Sequence, residues 1–145
     1  MKLYAQIQTV VQFNVLDYRM EMCALGLRLP SRGPKLPHPY VLPIDDSVLI
    51  DVCELDVPRP LKASVISWST RPPCKRSLGV IEAKVGEEIE LERFPCKSGS
   101  YLGYQLSCHN ESDARSCNVD VWSNQNATWG ESLEALTFQR FSDVF

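Results

Sequence analysis

Residues 101–124 read YLGYQLSCHNESDARSCNVDVWSN and combine two strand-like patterns with a polar loop between them. In the first part every second residue is apolar: Leu102, Tyr104, Leu106 and Cys108. The last part repeats the pattern: Cys117, Val119 and Val121. Side chains of a strand point alternately to opposite faces, so this period of two predicts two half-buried strands. The two inward cysteines are then placed to form a disulfide that closes the polar loop HNESDARS.

The same alternation recurs elsewhere and predicts an all-β protein. The expected strands cover residues 5–15, 23–29, 48–56, 63–68, 78–84, 87–94, 101–108 and 117–124. A spacing of about ten residues, broken by Pro, Gly or Ser, is typical of an antiparallel sandwich. We therefore expect residues 1–145 to form one disulfide-bridged, jelly-roll-like β-sandwich. Residues 84–87 suit a tight hairpin around Gly86, whereas residues 129–145 lack alternation and are expected to be irregular, divergent or a short helix.

Composition argues for a folded protein that does not bind nucleic acid. The chain has 145 residues, enough for one domain with its own core. Its net charge is −3, from 15 basic and 18 acidic residues, so it lacks the basic excess of a nucleic-acid-binding domain. One basic cluster interrupts this pattern and is expected to be a solvated surface: Arg59, Lys62, Arg71, Lys75 and Arg76. No apolar run reaches the ~18 residues that a membrane-spanning helix needs.

The six cysteines are expected to form three disulfides: Cys23, Cys53, Cys74, Cys96, Cys108 and Cys117. Zinc sites need closely spaced ligands, and the sequence has no C-x-x-C pair and only two histidines, so we expect no metal and no cofactor. Six cysteines allow 15 pairings, and sequence alone does not choose among them. Pairing in chain order is our expectation: Cys23–Cys53, Cys74–Cys96 and Cys108–Cys117.

Two N-glycosylation sequons, at Asn110 and Asn126, lie in expected loops. Sequons and disulfides both belong to the oxidising secretory route, which predicts an extracellular or cell-wall protein. The first residues do not read as a signal peptide, because glutamines interrupt the apolar run. We therefore expect that a leader was removed or that the given sequence is truncated at its N-terminus.

No catalytic motif is present in the sequence. Glu88, Glu90 and Glu92 alternate with apolar residues, which is typical of the exposed side of a strand. There is no G-x-S-x-G elbow, no glycine-rich phosphate loop and no His–Cys pair with a clear role. We expect that the protein is not an enzyme.

One aromatic group suggests a ligand. Trp122 falls on the outward parity together with Asp120, and Tyr101 shares the polar parity of its own strand. Aromatic rings beside Asp, Asn or Gln hold sugars by stacking and hydrogen bonding, so we predict a glycan site at Trp122, Asp120 and Tyr101. The alternative is that Trp122 packs under a loop or against Trp129. Trp68 shares the parity of Ile66 and is expected in the core.

Several stretches resemble a known family. TVVQFNV followed by CALGLRLP, and SVLIDVCEL leading to RFPCKSGSYLGYQLSC, are similar to the C-terminal domain of the fungal But-two family over roughly residues 9–129. The resemblance implies a cysteine-bridged β-sandwich of small secreted proteins without an established enzymatic role. The family name also implies binding to a ubiquitin-like modifier. The run VISWSTRPP before LGVIEAKVG is similar, more weakly, to carbohydrate-binding jelly rolls.

These observations favour a non-enzymatic, secreted or cell-wall-associated fungal protein that acts as a binding or structural module, with a cell-wall polysaccharide or other glycan as the candidate partner. An intracellular domain that binds a ubiquitin-like modifier is the first alternative. A polysaccharide-active enzyme of unknown mechanism is the second.

Overall fold

The computed structural model describes residues 2–4, 7–14, 22–33, 40–57, 59–62, 64, 66–97, 99–109 and 117–121, and the backbone of residues 136–141. Ten strands occur in these parts: β1 (Lys2–Leu3), β2 (Thr9–Asn14), β3 (Met22–Arg28), β4 (Ser47–Leu55), β5 (Cys74–Lys84), β6 (Glu88–Glu90), β7 (Phe94–Pro95), β8 (Tyr101–Cys108), β9 (Val119–Asp120) and β10 (Leu136–Phe141). All pairings between these strands are antiparallel. The described residues contain no α-helix, so the predicted all-β class is confirmed.

Two four-stranded sheets form the body of the protein. One has the order β2–β8–β4–β5. The other places β3 between β10 on one side and β6 and β7 on the other. A two-stranded β1–β9 pair accompanies them. This arrangement is consistent with the predicted jelly-roll-like sandwich.

The core lies between the two large sheets, as the alternation requires. Leu25, Leu27 and Leu29 come from the β3 side. From the facing sheet come inward residues of β4 and β8: Val48, Ile50, Val52, Tyr104 and Leu106. Each is at most 2 % exposed, and full burial of such a side chain contributes roughly 1.5–3 kcal/mol. The inward face predicted for β8 at Tyr104 and Leu106 is therefore confirmed.

The turn at Gly86 exists, but it does not form a hairpin. The Glu87 N–H donates to the Lys84 carbonyl at 3.1 Å, and Gly86 has φ 80°, a region that favours glycine. The strands on either side belong to different sheets, since β5 pairs with β4 and β6 pairs with β3. The turn therefore carries the chain from one layer of the sandwich to the other.

Three disulfides use all six cysteines: Cys23–Cys96, Cys53–Cys74 and Cys108–Cys117. The predicted Cys108–Cys117 bridge is confirmed. The predicted Cys23–Cys53 and Cys74–Cys96 pairs are wrong. Pairing follows the sheets instead: Cys53 and Cys74 lie on the adjacent strands β4 and β5, whereas Cys23 on β3 lies near Cys96, just after β7.

Two predicted elements differ from the structure. The strand expected at residues 63–68 is absent from the described positions there, since residues 67–70 form a turn. Residues 136–141, for which no strand was expected, form β10 and pair with β3 along their whole length. Trp68 is not a core residue, because it is 70 % exposed.

Candidate functional site

The β4–β5 loop, residues 56–73, is tied down at its base and along its first half. The Cys53–Cys74 disulfide joins the strands that flank it, and the Asp56 N–H donates to the Pro73 carbonyl at 3.2 Å. Further along, Gln12 of β2 holds the loop with both ends of its amide. Its Nε2 donates to the Arg59 carbonyl and its Oε1 accepts from the Leu61 N–H, each at 2.8 Å.

Packing beneath the loop adds to these bonds. Val57 is 5 % exposed and lies against Gly103 of β8, where the absence of a side chain leaves the space that its methyl groups occupy. Any larger residue at position 103 would meet Val57 within contact distance. The loop is therefore pre-ordered on the sandwich by a covalent bond, backbone and side-chain hydrogen bonds, and close packing.

Trp68 lies at a tight turn within this loop. The turn is closed by the Thr70 N–H, which donates to the Ser67 carbonyl at 3.2 Å, and by the Ser67 N–H, which donates to the Thr70 Oγ1 at 2.8 Å. Further hydroxyl contacts link Ser67 to Ser69 and Thr70. Serine and threonine commonly stabilise turns in this way. The turn thus presents an aromatic side chain that is 70 % exposed.

Arg71 accompanies the Trp68 ring. Its guanidinium carbon lies 3.6 Å from the ring centroid, a cation–π contact. Arg71 Nη1 is buried and has no hydrogen-bond partner among the described residues. Buried N–H groups normally have an acceptor, so this atom is an exception among the described residues.

The charge of the loop and the start of β5 differs from that of the rest of the chain. Residues 57–76 include five of the 15 basic residues and none of the 18 acidic residues: Arg59, Lys62, Arg71, Lys75 and Arg76. All but Arg71 are exposed. A local excess of positive charge beside an exposed ring favours an anionic ligand.

The predicted glycan site is only partly within the described residues. Trp122 and both sequon asparagines, Asn110 and Asn126, lie outside them. Asp120 pairs with Lys2, whose N–H donates to Thr9 at 3.1 Å. Thr9 in turn pairs with Leu106, so Asp120 lies at the level of the C-terminal end of β8.

Tyr101 begins β8, five residues from Leu106. At about 3.4 Å per residue this places Tyr101 roughly 17 Å along the strand from the level of Asp120. The backbone therefore does not bring Tyr101 and Asp120 together, and the site at Trp122 stays a prediction.

A second concave feature opens at one side of the sandwich, between the edge strand β5 and the β6–β7 segment. This edge cavity has a volume of about 470 Å³. Its apolar lining comes from both sheets: Leu25, Leu78, Ile81, Leu91, Phe94 and Pro95. Its polar lining is mixed in charge: Glu54, Arg76, Ser77, Glu92, Arg93 and Tyr104.

Three of the polar side chains form a row across the floor of the edge cavity. Arg76 pairs with Glu54 in the β4–β5 ladder, and Glu54 pairs with Tyr104 in the β4–β8 ladder. Arg76 Nη2 lies 3.1 Å from Glu54 Oε2, and the Glu54 side chain is only 19 % exposed. Tyr104 is 1 % exposed. Burial, together with the nearby Glu54 carboxylate, raises the pKa of the Tyr104 hydroxyl far above its usual range.

Neither the exposed Trp68 nor the Arg76–Glu54–Tyr104 row in the edge cavity was predicted from the sequence. The motif SWST followed by Pro72 and Pro73 is typical of a turn, and that signal outweighs the parity that assigned Trp68 to the core. Glu54 could have been noticed as an acidic residue at an inward position of the apolar strand SVLIDVCEL. Its alignment with Arg76 and Tyr104 depends on strand register, which the sequence does not specify.

Other chemistry is sparse in the described part of the chain. His109 Nδ1 lies 3.2 Å from Asp51 Oδ1. The described residues contain no group of three or more His, Cys, Asp or Glu side chains able to hold a metal ion. The same described part of the chain contains no helix long and apolar enough to cross a membrane.

Comparison with known proteins places the chain in a family. A search of curated proteins found no match. The family model described as "Ubiquitin 3 binding protein But2 C-terminal domain" matches residues 2–116, which span β1 to β8 and include the β4–β5 loop and the edge cavity. This match covers well over half of the chain and agrees with the resemblance noted in the sequence, so the protein belongs to the But2 C-terminal domain family.

Proposed function

We propose that this protein is a non-enzymatic binding module of the extracellular space or cell wall of a fungus, and that it binds an acidic glycan through the β4–β5 loop. The observation that carries the proposal is Trp68, a ring that is 70 % exposed on a turn held by hydrogen bonds. An ordered aromatic surface can stack on a sugar ring without first losing conformational freedom. The three disulfides support the extracellular location, because disulfides persist in oxidising environments such as the cell exterior.

The acidic character of the glycan is inferred from the residues around Trp68. Arg71 lies on the ring, while Arg59 and Lys62 are exposed on the same loop. A uronic acid would supply both a flat sugar face for Trp68 and a carboxylate for Arg71. Charge-assisted bonds of this kind are stronger than neutral ones.

Retention on polygalacturonate, compared with a neutral β-glucan, tests this proposal. We expect the wild type to bind polygalacturonate, and Trp68→Ala to bind about tenfold more weakly, the loss that corresponds to about 1.4 kcal/mol of stacking. Trp122→Ala is the matched control. Loss of binding in Trp122→Ala but not in Trp68→Ala would move the site to the one predicted from sequence. Absence of binding to either polymer would contradict the proposal.

The absence of enzymatic activity is part of the proposal. Two carboxylates line the edge cavity, but Glu54 is paired with Arg76 and Glu92 is exposed. Hydrolysis of a glycosidic bond usually needs two carboxylates that are both free to act on the substrate. We expect no release of reducing sugar from polygalacturonate or β-glucan, and release that is lost in Glu54→Gln would overturn this part.

Binding to a ubiquitin-like modifier is the second candidate function, and the description of the family favours it. The outer face of the β2–β8–β4–β5 sheet offers a surface for such a partner. Leu49 and Val80 are exposed there, on adjacent strands and two positions apart in register. We expect no capture of the protein by immobilised ubiquitin. Capture that is lost in Leu49→Asp would favour the modifier.

The state of the native protein separates the two compartments. Mass spectrometry of protein from its own organism should find three disulfides and N-glycans on Asn110 and Asn126. Six free thiols with both asparagines unmodified would favour an intracellular modifier-binding domain.

A further inference from the structure

We infer that the edge cavity is a separate binding site for a small uncharged alcohol, a molecule with one hydroxyl group on an apolar ring or chain. The site is independent of the β4–β5 loop and of any glycan. Its volume of about 470 Å³ lies within the range of small-molecule sites in proteins.

The cavity is accessible from the side of the sandwich. It is bounded by β5, which pairs only with β4 among the described strands, and by residues 91–95, which follow β6 and include β7. From β5 it extends past β4 to Tyr104 on β8, a depth of two strand spacings or about 10 Å. A ligand can therefore enter between the two sheets and reach the core without unfolding either of them.

The apolar lining favours a hydrocarbon body. Leu25 is 2 % exposed, and Leu78, Ile81, Leu91 and Phe94 are partly buried and packed against the same core. An apolar group placed among them would exchange water for contacts with side chains from both sheets. This lining excludes a fully hydrated sugar as the preferred occupant.

The polar floor favours a hydroxyl head group. Tyr104 is 1 % exposed and lines the inner end of the edge cavity. Glu54, its neighbour in register, has an acceptor-only carboxylate that is mostly removed from solvent. An alcohol can accept a hydrogen bond from Tyr104 and donate one to Glu54, whereas a ketone can only accept.

The charge balance of the lining argues against an ionised ligand. Glu54 and Glu92 are matched by Arg76 and Arg93. Arg76 already neutralises Glu54, and Arg93 Nε lies 3.5 Å from Glu90. A charged head group placed against the paired Glu54 at the floor would have to leave water without gaining an unpaired opposite charge there, which is unfavourable.

A matched pair of probes tests the site: 4-butylphenol, and butylbenzene, which lacks the hydroxyl. Binding would be followed by amide shifts in a ¹⁵N-labelled sample of the whole chain. We expect 4-butylphenol to perturb the amides of residues 76–81 and 91–94 and to bind about tenfold more tightly than butylbenzene, because one hydrogen-bonded polar group contributes about that factor.

Variants separate the hydroxyl from the cavity. Tyr104→Phe keeps the ring and should bring the affinities for the two probes within two- to threefold of each other. Leu78→Trp, which fills the cavity, should abolish both interactions, while Trp68→Ala should leave both unchanged, so failure at the loop and failure at the cavity are distinguishable.

If Tyr104→Phe does not fold, intermolecular NOEs from 4-butylphenol to the methyl groups of Leu78 and Leu91 in the wild type are the deciding measurement. The inference is overturned if 4-butylphenol perturbs none of the lining amides up to its solubility limit. It is equally overturned if folded Tyr104→Phe binds 4-butylphenol as tightly as the wild type does.

Discussion

The β4–β5 loop and the edge cavity are built on the same two strands but offer opposite surfaces. The loop carries an exposed ring and a local excess of positive charge, whereas the cavity is concave, apolar and balanced in charge. Arg76 lies where they meet, with its charge directed to Glu54 in the cavity. One sheet edge can therefore present two sites for ligands of different chemistry.

The two regions also differ in what keeps them ordered. The loop depends on one disulfide, the Gln12 amide and the packing of Val57. Most of the cavity lining comes from strands that pair with their neighbours, and Leu91, which follows β6, packs on the core. Removing a single tether should therefore impair the loop more than the cavity.

Removal of the Cys53–Cys74 disulfide should have the largest effect. The bridge closes a segment with a sequence separation of 21, so its loss in Cys53→Ala/Cys74→Ala should lower the free energy of unfolding by about 3 kcal/mol. Chemical denaturation would measure this. Polygalacturonate binding should weaken more than 4-butylphenol binding. Cys108→Ala/Cys117→Ala, with a separation of 9, is the control and should cost less; equal costs would contradict the chain-entropy explanation.

Gly103→Ala should have the next largest effect. The added Cβ would overlap Val57 Cγ2 and lie 3.2 Å from Val57 Cγ1, so the base of the loop must move. Overpacking of this kind costs about 2 kcal/mol. The double variant Gly103→Ala/Val57→Ala removes the clashing methyl groups and should be more stable than the sum of the two single changes indicates. Simple additivity in a double-mutant cycle would show that the loop does not pack on β8 at this point.

Alkaline pH should affect the cavity in particular. The folded state raises the pKa of Tyr104, so above pH 10 the unfolded chain loses this proton while the folded chain keeps it. The contribution of Tyr104 to the free energy of unfolding is therefore complete below pH 10. Above pH 10 the free energy of unfolding should fall by up to about 1.4 kcal/mol per pH unit. In Tyr104→Phe this component of the pH dependence should disappear. If the free energy of unfolding fell equally steeply with pH in the wild type and in Tyr104→Phe between pH 10 and 11, Tyr104 would ionise normally in the folded protein.

Arg71→Gln should have the smallest effect on stability. Arg71 contacts a Trp68 ring that is 70 % exposed, and cation–π pairs at exposed sites contribute about 0.5–1 kcal/mol. Thermal unfolding should therefore change little, whereas retention on polygalacturonate should fall severalfold because the ligand carboxylate loses its partner. Arg93→Gln, in the cavity lining, is the matched charge control and should leave retention unchanged. Equal loss in both variants would indicate attraction by overall charge alone.

Much of the fold could be predicted because burial on one face imposes a period of two. This holds for β4 and β8, whose inward residues form the core. It fails at Trp68, because parity has meaning only while the backbone is extended, and residues 67–70 turn. It also fails for β10, LTFQRF, in which the alternation of Leu136 and Phe138 is broken by Arg140 and Phe141.

The disulfides show the same limit. Cys108 and Cys117 are close in sequence and could be paired from strand parity. Cys23 and Cys96 are separated by 73 residues and meet only because β7 pairs with β3, a contact between sequence-distant strands. The row Arg76–Glu54–Tyr104 depends on register across three strands, and shifts in register occur within β4 itself. Such features require the topology as well as the pattern.

The most direct test of two separate sites is one ¹⁵N-labelled sample titrated first with an oligogalacturonate and then with 4-butylphenol. The oligogalacturonate should shift the amides of residues 59 and 61–71, and 4-butylphenol should then shift those of residues 76–81 and 91–94 without displacing it. The account is contradicted if the oligogalacturonate leaves the amides around Trp68 unchanged, or if the two ligands shift the same amides and compete.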